Sequence, residues 1–174
     1  MVIRAMQPEA ILILDRGHTE LVVPADWPVS AQPGGSLKIT DPRDQCSLEI
    51  SCMSTPDPGV TAPVGLFLES TLAGSEKAAE RGPIETLQRG PTAVACCTYA
   101  FSEMDTDTGR ERRAFGRTVF ASRGGLHVLV TAAWWEDDDA WARPVVERAT
   151  ETISLGDGRP LAGPHEHWSL RPRN

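Results

Sequence analysis

Two histidines flank a glutamate at His165-Glu-His167. On an extended segment, side chains two positions apart share a face. The pair therefore has the spacing of two metal ligands that need a third from elsewhere. The surrounding stretch lacks periodicity, and His18 and His127 have no spacing linked to it. The reading adopted is solvated histidines in an irregular tail, with no metal site assigned. Asp105-x-Asp107-x-Gly109 opens like a calcium loop, yet Arg110-Glu-Arg-Arg113 stands where the closing acid belongs. Asp and Gly here suit the turn of a hairpin. Asp137, Asp138 and Asp139 read as the start of a helix, whose positive end favours acids.

Arg110, Arg112, Arg113 and Arg117 form the one basic cluster. Strand alternation puts Arg110 and Arg112 on one face and Arg113 and Arg117 on the other, which argues against a single phosphate clamp. The expectation is an exposed strand guarded by charge from edge pairing, with recognition of an acidic partner as the alternative. G-x-S-x-G, the P-loop, H-E-x-x-H and G-x-G-x-x-G are all missing. No catalytic, cofactor-binding or metal-binding residue is assigned, and no cofactor is expected. A dispersed site leaves no such signature. A small hydrolase or metal-dependent enzyme using His165 and His167 therefore stands as the alternative function.

The four cysteines are Cys46, Cys52, Cys96 and Cys97, with no C-x-x-C among them. Cys46 and Cys52 share one strand face but lie too far apart on an extended chain to bridge. Cys96 and Cys97 are adjacent and must point to opposite faces. All four read as small core thiols.

Tryptophans carry the best binding signal. Trp134 and Trp135 are adjacent on a strand, so one packs beneath the last helix beside Trp141 and the other is left for the opposite face. Trp27 and Trp168 are expected to line an exposed apolar groove. Trp27, Trp135 and Trp168 are thus the candidate partner-binding residues, with Trp135 and Trp168 the strongest.

These side chains need elements to hold them. Gly125 to Trp135 and Thr92 to Phe101 are apolar at both alternating sets of positions, as in strands covered on both faces. Thr92 to Met104, Arg110 to Ser122 and Gly125 to Trp135 follow one another through short turns, which makes a meander. Earlier, Ala10 to Leu14 and Thr19 to Val23 flank the turn Asp15-Arg-Gly-His18. Ser36 to Thr40 and Gln45 to Met53 form a second pair. In the latter strand Leu48, Ile50 and Cys52 alternate with Ser47, Glu49 and Ser51, so one of its faces is less covered. A helix is expected from Pro63 to Glu80, capped by Thr61, and a second from Glu136 to Leu155 with Trp141, Val145, Ala149 and Ile153 buried. Residues 1–155 are expected to form one domain, and 156–174 a tail.

Composition bounds the function. The chain has 174 residues, 40% hydrophobic and 24% charged, as in soluble globular domains. A net charge of −7 speaks against nucleic-acid binding. No run approaches the roughly 20 apolar residues of a membrane span. Met1-Val-Ile-Arg-Ala-Met-Gln-Pro lacks the pattern of an export signal, so the expected location is the cytoplasm. Lys38 and Lys77 are the only lysines among 17 basic residues, a bias of GC-rich bacterial genomes.

Leu21-Val-Val-Pro-Ala-Asp-Trp27 resembles the opening of the PsbP-like superfamily, which includes PsbP, the Ran-binding Mog proteins and bacterial DcrB-like proteins. Arg89-Gly-Pro-Thr-Ala-Val-Ala95 resembles its glycine-led entry into a central strand. The meander is similar, as is Arg143-Pro-Val-Val-Glu-Arg-Ala-Thr-Glu-Thr-Ile-Ser-Leu155 to its final helix. The resemblance spans Ala10 to Leu155. It implies an α+β fold with an antiparallel sheet sandwiched between helices in three α/β/α layers. It also implies a non-catalytic bacterial module that binds another protein, as an assembly factor or secretion chaperone.

Overall fold

The computed structural model describes residues 8–57, 59, 62–156, 159, 161 and 167–173. Eleven strands and two α-helices are formed by these residues. The first hairpin pairs β1 (Glu9–Leu14) with β2 (Thr19–Pro24). Then come β3 (Val29–Ala31), β4 (Leu37–Thr40) and β5 (Cys46–Ser54). Helix α1 (Val64–Ala73) precedes β6 (Glu85–Arg89) and the meander β7 (Thr92–Asp105), β8 (Arg110–Arg123) and β9 (Leu126–Trp135). Helix α2 (Asp139–Glu151), β10 (Ser154–Leu155) and β11 (Trp168–Pro172) complete the chain.

All pairings are antiparallel, but they make two sheets. A major sheet runs β3-β4-β5-β9-β8-β7-β6, and a minor one runs β10-β2-β1-β11. Register decides which side chains share a face. Cys96, Val119 and Val130 lie opposite one another across β7, β8 and β9 and point inward with Val94 and Trp134. On that face α2 packs through Ala142, Val146 and Ala149, and the minor sheet through Leu12, Leu14, Leu21 and Val23. The opposite face presents Ala95, Cys97, Tyr99 and Phe120, over which α1 lays Val64, Leu68 and Leu72. Each Val, Leu or Phe among these contributes about 1.5–3 kcal/mol on full burial. The two helices thus pack on opposite faces, but α2 shares its side with a second sheet, so that layer is not helical alone.

Other expectations change in detail. α1 ends at Ala73 instead of Glu80: Gly74 follows, and a short 3-10 turn, Glu76–Ala78, packs toward β7. Thr61, its expected cap, lies outside the described residues. The buried stripe of α2 is Ala142, Val146, Ala149 and Thr150, one position on from the expected one at its first two members. Trp141 is turned aside to meet Trp27 edge to face at 6.5 Å. The region beyond Leu155 is not wholly irregular. Trp168–Pro172 pairs with β1, with Leu14 opposite Trp168 and Leu12 opposite Leu170, because β1 offers a free edge to the returning chain. β8 is no edge strand either, since it lies between β7 and β9.

The side chain of Tyr99 explains one glycine. A Cβ on Gly116 would fall 2.3 Å from the Tyr99 ring, which crosses the sheet there to place its hydroxyl 3.1 Å from Thr118 Oγ1.

Candidate functional site

α1 is short and packs chiefly on β7 and β8, with a lesser contact to β6. The rest of that face, across β4, β5 and β9, carries Lys38, Ser47, Glu49, Ser51, Thr131 and Ala133, none of them fully buried. This is the less covered face expected from the alternation in β5. Trp135 stands at its end, half-buried, with the Arg112 guanidinium 4.4 Å above its ring. Beside it lies a depression of about 180 Å³, lined by Ser47, Phe101, Glu103, Ala114 and Ala133. A second one, of about 570 Å³, adjoins through Phe101 and Glu103 and reaches Met104 and Lys77. Met104, Met53, Leu66 and Phe67 are exposed apolar side chains of the same molecule.

The basic cluster is spent on neighbouring acids. Arg112 pairs with Asp105 at 3.0 Å and with Asp137 at 3.4 Å, while Arg113 pairs with Glu136 at 3.3 Å. Arg117 bonds the hydroxyls of Thr98 and Thr150 on the other face. Edge protection is therefore not its role. Asp105 Oδ1 accepts the backbone N–H of Asp107 at 2.9 Å, and Arg112 holds its carboxyl below the ordinary range. The turn reading of this loop agrees with that geometry. Asp138 and Asp139 accept the indole N–H groups of Trp141 and Trp134 at 2.7 and 2.8 Å.

The expected tryptophan trio is dispersed. Trp27 is 1% exposed and cannot line an open groove; it is a core residue against Trp141. Trp134 is buried and Trp135 is not, as their alternation requires. Trp168 faces inward from β11 and packs against the core on the α2 side of the major sheet, away from Trp135. The two best candidates therefore do not share a surface. Sequence spacing had no means of showing that β11 joins the minor sheet.

Trp168 instead lines a cavity of about 610 Å³ between the two sheets, with His167, Asp15 and Cys52. His165 lies outside the described residues, and among those described no three His, Cys, Asp or Glu side chains converge as a metal site. All four cysteines are free. Cys96 and Cys97 fall into opposite clusters, as adjacency predicts. Burial pushes the Cys52 thiol up to about 11; the Thr19 hydroxyl opposes this and the Asp15 charge adds to it. Burial likewise raises Cys46, Cys96 and Cys97, so none is an activated nucleophile. His127, unassigned from sequence, is buried on the α1 side. Its ring lies 3.0 Å from Ser122 Oγ and stacks on Phe120.

The profile of the Alr1449 family matches residues 10–158. The chain belongs to the Alr1449 family. Comparison with curated proteins finds no match. Among solved structures, this Alr1449 member is similar to the cyanobacterial PsbP (CyanoP) of Synechocystis sp. PCC 6803. The identity is 10% and the TM-score 0.58, over 90% of this chain and 97% of that one. A protein of Bacteroides thetaiotaomicron VPI-5482 is similar at 11% identity and a TM-score of 0.57, over 88% of this chain. The match spans 50% of the Bacteroides chain. LpqN of Mycobacterium tuberculosis, involved in cell envelope biogenesis, matches at 17% identity with a TM-score of 0.45, over 84% of this chain and 90% of that one. The fold is PsbP-like, as the resemblance in sequence implied. At such identities the likeness speaks for the fold alone.

Proposed function

We propose that this protein is a non-catalytic bacterial protein-binding module, an assembly factor or secretion chaperone acting in the cytoplasm. The observation that carries the reading is the half-covered face of the major sheet, ending in Trp135 and its adjoining depressions. A half-buried aromatic beside depressions that mix apolar side chains such as Phe101 and Met104 with charged ones such as Lys77 and Glu103 suits a protein contact surface. Four free cysteines suit a reducing compartment. Among the described residues no helix is long and apolar enough to cross a membrane. We also read the layering as α/β/α, with the minor sheet completing the α2 layer; the packing of α1 and α2 on opposite faces supports this.

The test is photocrosslinking in the native host from a reactive residue at Ser47, on the open face. A discrete protein adduct is expected, lost in Trp135→Ala while the melting temperature falls by no more than about 2–4 °C, the scale of ~1 kcal/mol. Adducts that survive Trp135→Ala unchanged would count against this surface.

A further inference from the structure

We propose that the cavity between the two sheets is a binding site for a small organic cation with an apolar body, an alkyl- or arylammonium, whose charged head rests on Asp15. The cavity is distinct from the surface around Trp135 and lies on the other side of the major sheet. Its volume, about 610 Å³, falls within the range of small-molecule sites. Leu14, Leu37, Ile50 and Cys52 make its apolar wall, and Trp168 supplies an aromatic ring.

The polar atoms give the site its sign. Asp15 Oδ2 is buried and has no hydrogen-bond partner among the described residues. A buried carboxylate oxygen without a donor is a standing penalty, which a ligand carrying N–H donors and positive charge removes. An anion would meet the Asp15 charge, and a purely apolar ligand would leave the Asp15 oxygen orphaned. A cation gains from the carboxylate and from the Trp168 ring together.

Backbone geometry points to the same place. Asp15 and Arg16 both adopt left-handed conformations, with φ of 51° and 57°, followed by Gly17 at 90°. Two successive non-glycine residues in this region are uncommon, and strain of this kind gathers at functional sites. The turn holds Asp15 at the cavity wall.

The test uses the full chain, with n-hexylammonium as probe and n-hexanol and n-hexanoate as isosteric controls. Binding is followed by amide chemical shifts and by calorimetry. Hexylammonium should bind at least about tenfold tighter than hexanol, the scale of one charge-assisted hydrogen bond, and hexanoate should not bind. Asp15→Asn keeps a residue that tolerates left-handed backbone and should reduce hexylammonium to the level of hexanol. Ala31→Trp, at the exposed end of β3 on the cavity lining, should block both probes while the melting temperature holds. Equal affinity for hexylammonium and hexanol would overturn the proposal. So would binding unaffected by Asp15→Asn and Ala31→Trp, or no saturable binding of hexylammonium.

Discussion

On the inward face of the major sheet, Val94, Val119, Val130 and Trp134 are each no more than 2% exposed, because α2 and the whole minor sheet lie upon them. One residue along the same strands, Ala93, Leu129, Thr131 and Trp135 all retain solvent contact. The two faces differ in how much chain is available to cover them. Thirteen residues of α2 and four strands serve one, and ten residues of α1 serve the other. A ten-residue helix is about 15 Å long, and four of the seven strands lie beyond β6, β7 and β8, its chief contacts. Stability is therefore concentrated on the inward face, and the outward one keeps more of its surface in solvent.

Trp27→Ala tests that contrast with the largest effect. It empties the inward core beside Trp141 and should destabilise by about 3–5 kcal/mol in urea titrations. Trp135→Ala should lose only about 1 kcal/mol, the scale of an exposed cation–π contact. Similar losses for the two would erase the distinction between the faces. Gly116→Ala comes next. Its Cβ would collide with the Tyr99 ring on the α1 side, so about 1–3 kcal/mol of overpacking is expected. In a double-mutant cycle with Tyr99→Ala the two losses should be clearly less than additive; simple additivity would mean that the ring is not the obstacle.

A smaller effect belongs to the rim of the outward face. Arg112 depresses the Asp105 carboxyl, so the folded state holds the ionised form more strongly than the unfolded one. That stabilisation is full above the ordinary carboxylate value of about 4 and is lost as pH falls through the lower folded value. The difference in denaturation midpoint between wild type and Asp105→Asn should be constant near neutrality and close in acid. A difference that widens in acid would have the wrong sign. The smallest effect is expected for Thr131→Ala, in the middle of the open face, within about 0.5 kcal/mol of wild type. Its neighbour Val130→Ala should lose several times as much by the same measurement.

Much of this was legible along the chain. Double-sided apolar runs marked β7 and β9 as central strands, and adjacency alone separated Cys96 from Cys97 and Trp134 from Trp135. The alternation in β5 marked its polar face as the open one. Trp27 was misread because a tryptophan in a Pro-bounded turn looks like surface; only the approach of Trp141 across the core buries it. The arginines were misread as edge guards because order along the chain does not reveal order across a sheet.

The sequence by itself determined the local facts: which segments extend, which coil, and which side chains of each strand face together. These follow from periodicity and from steric preferences that act over a few residues. Tertiary structure alone decided that residues 168–172 return to the edge of β1, that this adds a second sheet beneath the first, and that Asp15, Cys52 and Trp168 meet around one cavity. Such pairings join residues more than a hundred positions apart. Their free energy lies in the burial of whole faces against each other, which no window of sequence contains.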